Sequence, residues 1–153
     1  MLPFFMDSES TAAHTALDPV VTDPGAYRVL LENDRVRVLE FLDAPGDETN
    51  PHEHPDSVMI TLSAYARRLS SEGREIDVEL PAGETRWLPA QEHAGVNIGR
   101  TPTHAIFVEL KESPAIPRDP SYHPLGPVAS NRPLTGTPLS DDSSDEEKAW
   151  GFA

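Results

Sequence analysis

Between residues 26 and 112, apolar side chains recur in short runs, many alternating with polar ones, and Pro, Gly, Asn or Asp interrupts them. Alternation sends every second side chain to the same face of a strand, so this stretch predicts β structure throughout. The runs Tyr27–Leu31 and Val36–Leu42 are rich in Val, Leu and Phe, with Asn33-Asp34 as the turn between them. Ser57–Ser63 follows a loop containing Ala44-Pro45-Gly46-Asp47. Ala66–Leu69 and Glu75–Leu80 flank Ser71-Glu72-Gly73, a hairpin signal. Thr85–Leu88, His93–Ile98 and His104–Leu110 complete the set. Within Ser57–Ser63, Val58, Met59, Ile60 and Leu62 read as core or pocket wall on two buried faces. No segment sustains a 3.6-residue period and no internal repeat is present. Strands spaced about 8–12 residues apart, with turn residues between them, predict a sandwich or barrel rather than βαβ units.

The ends of the chain have a different character. Residues 1–25 contain Asp7, Glu9, Asp18 and Asp23, no Lys or Arg, and no strand-length apolar run. Residues 113–153 hold seven of the 16 prolines and end in the acidic run Asp141-Asp142-Ser143-Ser144-Asp145-Glu146-Glu147. Segments of this composition bury too little apolar surface to offset the entropy of ordering them. The expected organisation is an irregular N-terminal arm over 1–25, a barrel over 26–112 and a disordered, Pro-rich acidic tail over 113–153. The acidic run reads as a solubilising tail, and Trp150-Gly151-Phe152 as a weak docking signal.

Charge and composition narrow the function. Twelve Lys and Arg against 26 Asp and Glu give a net charge of −14. That balance argues against nucleic acid and anionic membranes, both of which recruit basic surfaces. No apolar run approaches the roughly 18 residues of a membrane span. The chain has no cysteine, which removes disulfides, thiolate ligands and a cysteine nucleophile. The apolar start Met1-Leu2-Pro3-Phe4-Phe5-Met6 carries no basic residue and does not read as a secretory signal, so a cytoplasmic location is expected. Neither a phosphate-binding glycine loop nor a G-x-S-x-G nucleophile elbow appears.

The informative residues are histidines. His52 and His54 are two apart, so on a strand both rings leave the same face and can offer nitrogens to one metal ion. Pro51 and Pro55 bracket the pair. His93 opens a later strand after the turn at Pro89, where a barrel would carry it across to His52 and His54. A shared ion would require the three ring nitrogens to lie within roughly 4 Å of one another.

These residues also carry a family resemblance. Gly46, five residues, then His52-Glu53-His54 matches the opening of the motif G-x5-H-x-H-x3,4-E-x6-G. Gly83, five residues, Pro89, and later His93, three residues, Asn97 match parts of G-x5-P-x-G-x2-H-x3-N. Over about residues 26–112 the chain resembles the cupins, and its stretches Asn33–Phe41 and Phe107–Lys111 are similar to the opening and closing of small single-domain members. The resemblance implies an all-β double-stranded β-helix, or jelly-roll, barrel. It implies a divalent metal on His52, His54 and His93, Fe(II) favoured, with Mn, Ni, Zn and Cu compatible. Three-histidine cupins include dioxygenases as well as lyases and cyclases.

The departures from the pattern bear on chemistry. The glutamate of the first motif falls at Val58 or Met59, and its closing glycine is replaced, with Tyr65 nearby. In the second motif the loop before His93 is one residue short and lacks its glycine. Three neutral imidazoles without a carboxylate leave the ion's charge uncompensated, which favours an anionic or enolisable oxygen ligand and Lewis-acid chemistry. The expected function is a mononuclear three-histidine enzyme acting on a small organic substrate, by dioxygenase-type oxidation. The alternatives are a non-redox lyase, isomerase or cyclase, a non-catalytic small-ligand-binding barrel, and an accessory protein acting through its tail. Pairing as a homodimer through sheet edges is expected, since exposed edges need cover.

The remaining polar residues read as ordinary. Glu53 and Glu92 should point away from the site by alternation, and His104 should sit in solvent at the rim. Tyr65 reads as a packed aromatic. Arg37, Arg67, Arg68 and Arg86 would supply a substrate clamp if they pointed inward, but charged strand residues usually face water and none is singled out. His14 and His123 lie in the terminal segments and receive no role.

Overall fold

Among the described residues, nine strands and one helical turn carry the alternation into three dimensions. The computed structural model describes residues 16–112 and 119–128. In chain order the elements are α1 (Pro19–Thr22), β1 (Tyr27–Glu32), β2 (Val36–Asp43), β3 (His52–His54), β4 (Ser57–Thr61), β5 (Tyr65–Ser71), β6 (Arg74–Leu80), β7 (Thr85–Leu88), β8 (Gln91–Asn97) and β9 (Thr103–Leu110). They form a five-stranded sheet in the order β1-β2-β9-β4-β7 and a four-stranded sheet in the order β3-β8-β5-β6. All pairings between these strands are antiparallel. The crossed order, with β9 between β2 and β4, is the expected jelly-roll barrel. No helix among the described residues is long and apolar enough to cross a membrane.

Strand register sorts the interior into layers. Across the first sheet, Leu39 pairs with Phe107, which pairs with Met59. Phe41 pairs with Ala105, and these residues, with Leu88, Tyr27 and Tyr65, make the buried apolar core. On either side of it the same inward parity delivers polar residues. At one end Arg37 pairs with Glu109, and Glu109 with Ser57; at the other, Asp43 pairs with Thr103. All five are buried.

Buried charges survive only when paired. The Arg37 guanidinium donates to both carboxylate oxygens of Asp18 at 3.0 and 3.1 Å and, through Nε, to Glu109 Oε1 at 2.8 Å. Arg67 meets Asp43 and lies 4.8 Å over the Phe41 ring, while Asn97 Nδ2 donates to Asp43 Oδ1 at 3.1 Å. Arg37 and Arg67 therefore point inward, against the expectation that they face water. Arg68 follows that expectation, in an exposed pair with Asp77, and Arg86 sits half-buried beside Glu84. Leu62 also departs from expectation. It lies beyond the end of β4 and is 49% exposed, so it is not pocket wall.

The described parts of both extensions pack against the barrel. Residues 16–25 include α1, whose N-cap Asp18 accepts from Val20 N at 3.0 Å. This segment covers the edge strand β3: Glu53 N donates to Leu17 O at 2.7 Å, and Asn50 Nδ2 donates to Thr22 O at 3.0 Å. An unpaired sheet edge thereby gains partners, which is why a segment without a strand pattern is nonetheless ordered. From the expected disordered tail, residues 119–128 form a strap. Val128 N donates to Trp87 O at 2.8 Å, and Gly126 is buried. His123 on this strap is exposed. His14, the acidic run and Trp150-Gly151-Phe152 lie outside the described residues.

Replacing Arg37 with Met removes the cation shared by Asp18 and Glu109. We expect a loss of about 3–5 kcal/mol, the cost of breaking a buried ion pair from one side. It should be read as a lowered urea midpoint at unchanged slope, and a loss below about 1 kcal/mol would contradict this account.

Candidate metal centre

Four inward side chains of β3 and β8 make a two-by-two patch. His52 stands opposite His93 and His54 opposite Gln91, while Glu53 and Glu92 face outward as alternation requires. His52 and His54 are each 1% exposed and His93 is 7% exposed. The strand pair and the distant third imidazole therefore meet. One ring nitrogen of each lies within 4.8 Å of the others. That triangle is looser than the roughly 4 Å expected. Each nitrogen needs to travel less than about 1 Å to reach donor–ion distances of about 2.0–2.2 Å.

Hydrogen bonds determine which nitrogen is left over. His52 Nδ1 lies 2.7 Å from Asn50 O, and His93 Nδ1 lies 2.7 Å from Gln91 Oε1. Both partners only accept, so both Nδ1 atoms carry the proton and both Nε2 atoms present lone pairs. His54 Nδ1 faces Glu109 Oε2 at 3.6 Å, beyond hydrogen-bond length. Burial lowers the pKa of His52, and lowers those of His54 and His93 well below the imidazole range. Neutral rings are the form that binds metal.

The donor set fits a divalent cation. Both ring nitrogens of His54, and Glu109 Oε2, are buried with no hydrogen-bond partner among the described residues. Each such atom costs about 1–3 kcal/mol. A cation on His54 Nε2, with a small ring shift that closes Nδ1 onto Glu109, would satisfy all three. The Glu109–histidine–metal arrangement is a common way of orienting such a ligand. Burial raises the Glu109 pKa, and the hydrogen bond and charge of Arg37 oppose the rise.

The cavity beside the histidines is lined by Tyr27, Phe41, Met59, Arg67, Phe107 and Pro127, among others. Of the two positions where the family pattern has a glutamate, only Met59 faces inward, and Tyr65 Oη lies 3.8 Å from its sulfur. Tyr65 is thus the packed aromatic expected, and burial pushes its pKa up to about 12. Tyr27 was legible only as the start of a strand. Its hydroxyl lies 3.4 Å from His52 Nε2, and burial holds its pKa far above the ordinary range. His104 is not in the site; its Nε2 pairs with Glu40 at 2.8 Å. Glu109 and Gln91 were missed, although Gln91 shares inward parity with His93, and Arg37 was expected to face water.

No protein-family model matches the sequence, and no curated protein does. Solved structures do. A cupin domain from Bordetella pertussis Tohama I is 27% identical, with a TM-score of 0.53 over 56% of this chain and 92% of that one. A conserved protein with a double-stranded β-helix domain from Klebsiella pneumoniae is also 27% identical, with a TM-score of 0.45 over 54% of this chain and 73% of that one. A polyketide cyclase from Streptomyces resistomycificus is 26% identical, with a TM-score of 0.45 over 61% and 72%. With the jelly-roll order, the first of these makes the barrel a small cupin-type domain.

Ligand linkage supplies a direct measurement on the histidine cluster. Zinc at 100 times its Kd should stabilise the protein by about 2.7 kcal/mol, seen as a raised Tm. His93→Ala should abolish the shift, and equal shifts in both proteins would place the ion elsewhere.

Proposed function

We propose that this chain is a mononuclear, three-histidine, metal-dependent cupin enzyme that oxidises a small organic substrate with dioxygen. The observation that supports it best is the inward convergence of His52, His54 and His93, two of them held with Nε2 free of protons by acceptors at Nδ1. These residues would hold the ion, Fe(II) favoured, which when bound supplies a Lewis-acidic centre with positions open to substrate and dioxygen.

The surrounding side chains set what can enter. Phe41, Met59, Leu88 and Phe107 form apolar walls that exclude bulk water. The cavity is ≈ 40 Å³, room for about three waters at roughly 10–15 Å³ each. Substrate is therefore small, or it enters as the walls move apart. Arg67 brings a positive group to the wall, already paired with Asp43, and favours an anionic substrate atom. Tyr27 keeps its proton at ordinary pH and offers it as a hydrogen bond beside His52.

That hydroxyl favours a second reading, a non-redox lyase, isomerase or cyclase. A positioned proton donor serves enolisation or ring closure directly, and oxidation does not require one.

Elemental analysis of untagged protein, isolated without added metal, tests the first claim. Near-stoichiometric iron that is lost in His93→Ala is expected, and metal no higher than background would favour a ligand-binding barrel. Turnover of small carboxylates or dicarbonyls then separates the two chemistries. Oxidation stops under anaerobic conditions and consumes dioxygen at an electrode. The non-redox reaction continues without oxygen and falls about 10²-fold or more in Tyr27→Phe, which should keep its metal.

A further inference from the structure

Gln91 stands where no side chain is expected from the family pattern. It falls two residues after Pro89, at the position of the missing glycine, and two before His93 on the same inward face of β8. Its amide is fully engaged. Oε1 accepts from His93 Nδ1 and from Gly126 N, both at 2.7 Å. Nε2 donates to Pro89 O at 2.8 Å and to Gly126 O at 3.2 Å. The two carbonyl partners fix which end of the amide is oxygen, and that oxygen fixes the proton on His93 Nδ1.

The other side of the bridge is the strap, residues 119–128. Gly126 gives both of its backbone groups to Gln91, and Pro127 lines the cavity. Val128 N then joins the edge of β7 at Trp87 O. Gly126 has φ +85, and a Cβ there would lie 2.7 Å from Ile76 Cδ1, with Leu69 and Val78 close behind. Only glycine seats the strap in this place. If the strap lifts, the amide loses two of its four partners, and the oxygen facing His93 is no longer held.

We infer that Gln91 is a positioning residue that couples the seating of strap 119–128 to the orientation of His93, so that strap docking and metal binding strengthen each other. The inference rests on the reading of the three histidines as a metal site. Coupling of this kind is reciprocal: whatever the strap contributes to metal affinity, the metal returns to strap stability.

The test uses the full chain with zinc as the probe, titrated in competition with a chromophoric chelator. Gln91→Met and Gly126→Val should each weaken zinc binding about tenfold, within the range found for groups that orient metal-binding histidines. The double variant should be no weaker than about tenfold, because both changes break one chain of contacts. Gln91→Glu keeps an oxygen for the His93 and Gly126 donors but turns a second buried oxygen onto the carbonyls of Pro89 and Gly126, so it should unseat the strap and weaken zinc binding as well. In the unaltered protein, zinc should slow hydrogen exchange at the Gly126 amide by about the factor that Gly126→Val costs in affinity. A role confined to covering the apolar patch on β5 and β6 predicts none of these zinc effects. Zinc binding in Gly126→Val equal to that of the unaltered protein, or Gly126 exchange indifferent to zinc, would overturn the coupling. Should Gly126→Val not fold, the exchange comparison decides alone. If the unaltered protein takes up no zinc, the metal-site reading falls and this inference with it; uptake with indifferent variants sinks only the coupling.

Discussion

Strand periodicity sends alternate residues into a closed interior whether or not they are apolar. In β2 the inward set is Arg37, Leu39, Phe41 and Asp43; in β9 it is Thr103, Ala105, Phe107 and Glu109. The apolar pairs close the middle of the barrel, while the charged ones must be neutralised where they stand. Arg37 does this with Asp18 and Glu109, and Arg67 with Asp43. The interior is thus an apolar layer between polar networks, and the histidines border both. His54 stacks on Phe107 with ring centroids 5.1 Å apart and turns Nδ1 toward Glu109.

Such surroundings suit a cation site. Burial keeps the imidazoles neutral, the hydrogen bonds at Nδ1 orient the rings of His52 and His93, and the low local polarity strengthens any charge held between them. Met59 gives the cavity wall beside the histidines a thioether and no negative charge.

Much of the fold was legible from residue patterns. Thr85–Leu88 occupies the strand it was assigned, and the other seven assigned strands differ by one or two residues at their ends, while β3 was legible only through its histidine pair. The His52, His54 and His93 cluster followed from spacing and from the family motifs. The less legible parts have physical reasons. Arg37 and Arg67 were discounted because charged residues usually face water, and that preference yields when parity places opposite charges in one interior, as it does with Glu109 and Asp43. Tyr27 reaches the site from the first strand, a long-range contact that no local pattern announces. The arm and the strap lack strand signals because their order comes from sheet edges and buried amides supplied by the barrel.

The extensions explain more than edge protection. Asn50, whose carbonyl holds His52, is itself held by Asp23 and Thr22 from the N-terminal arm. Glu109, which faces His54, is tied through Arg37 to Asp18 of the same arm. Gln91, which holds His93, is tied to Gly126 of the strap. Each histidine therefore faces one intermediary, and each intermediary is fixed by a segment outside the nine-stranded barrel. Without these segments Asn50, Glu109 and Gln91 would have fewer constraints. The precision of the three nitrogens then depends on residues that have no place in the strand pattern, because a closed sheet can aim side chains inward but cannot by itself choose a tautomer.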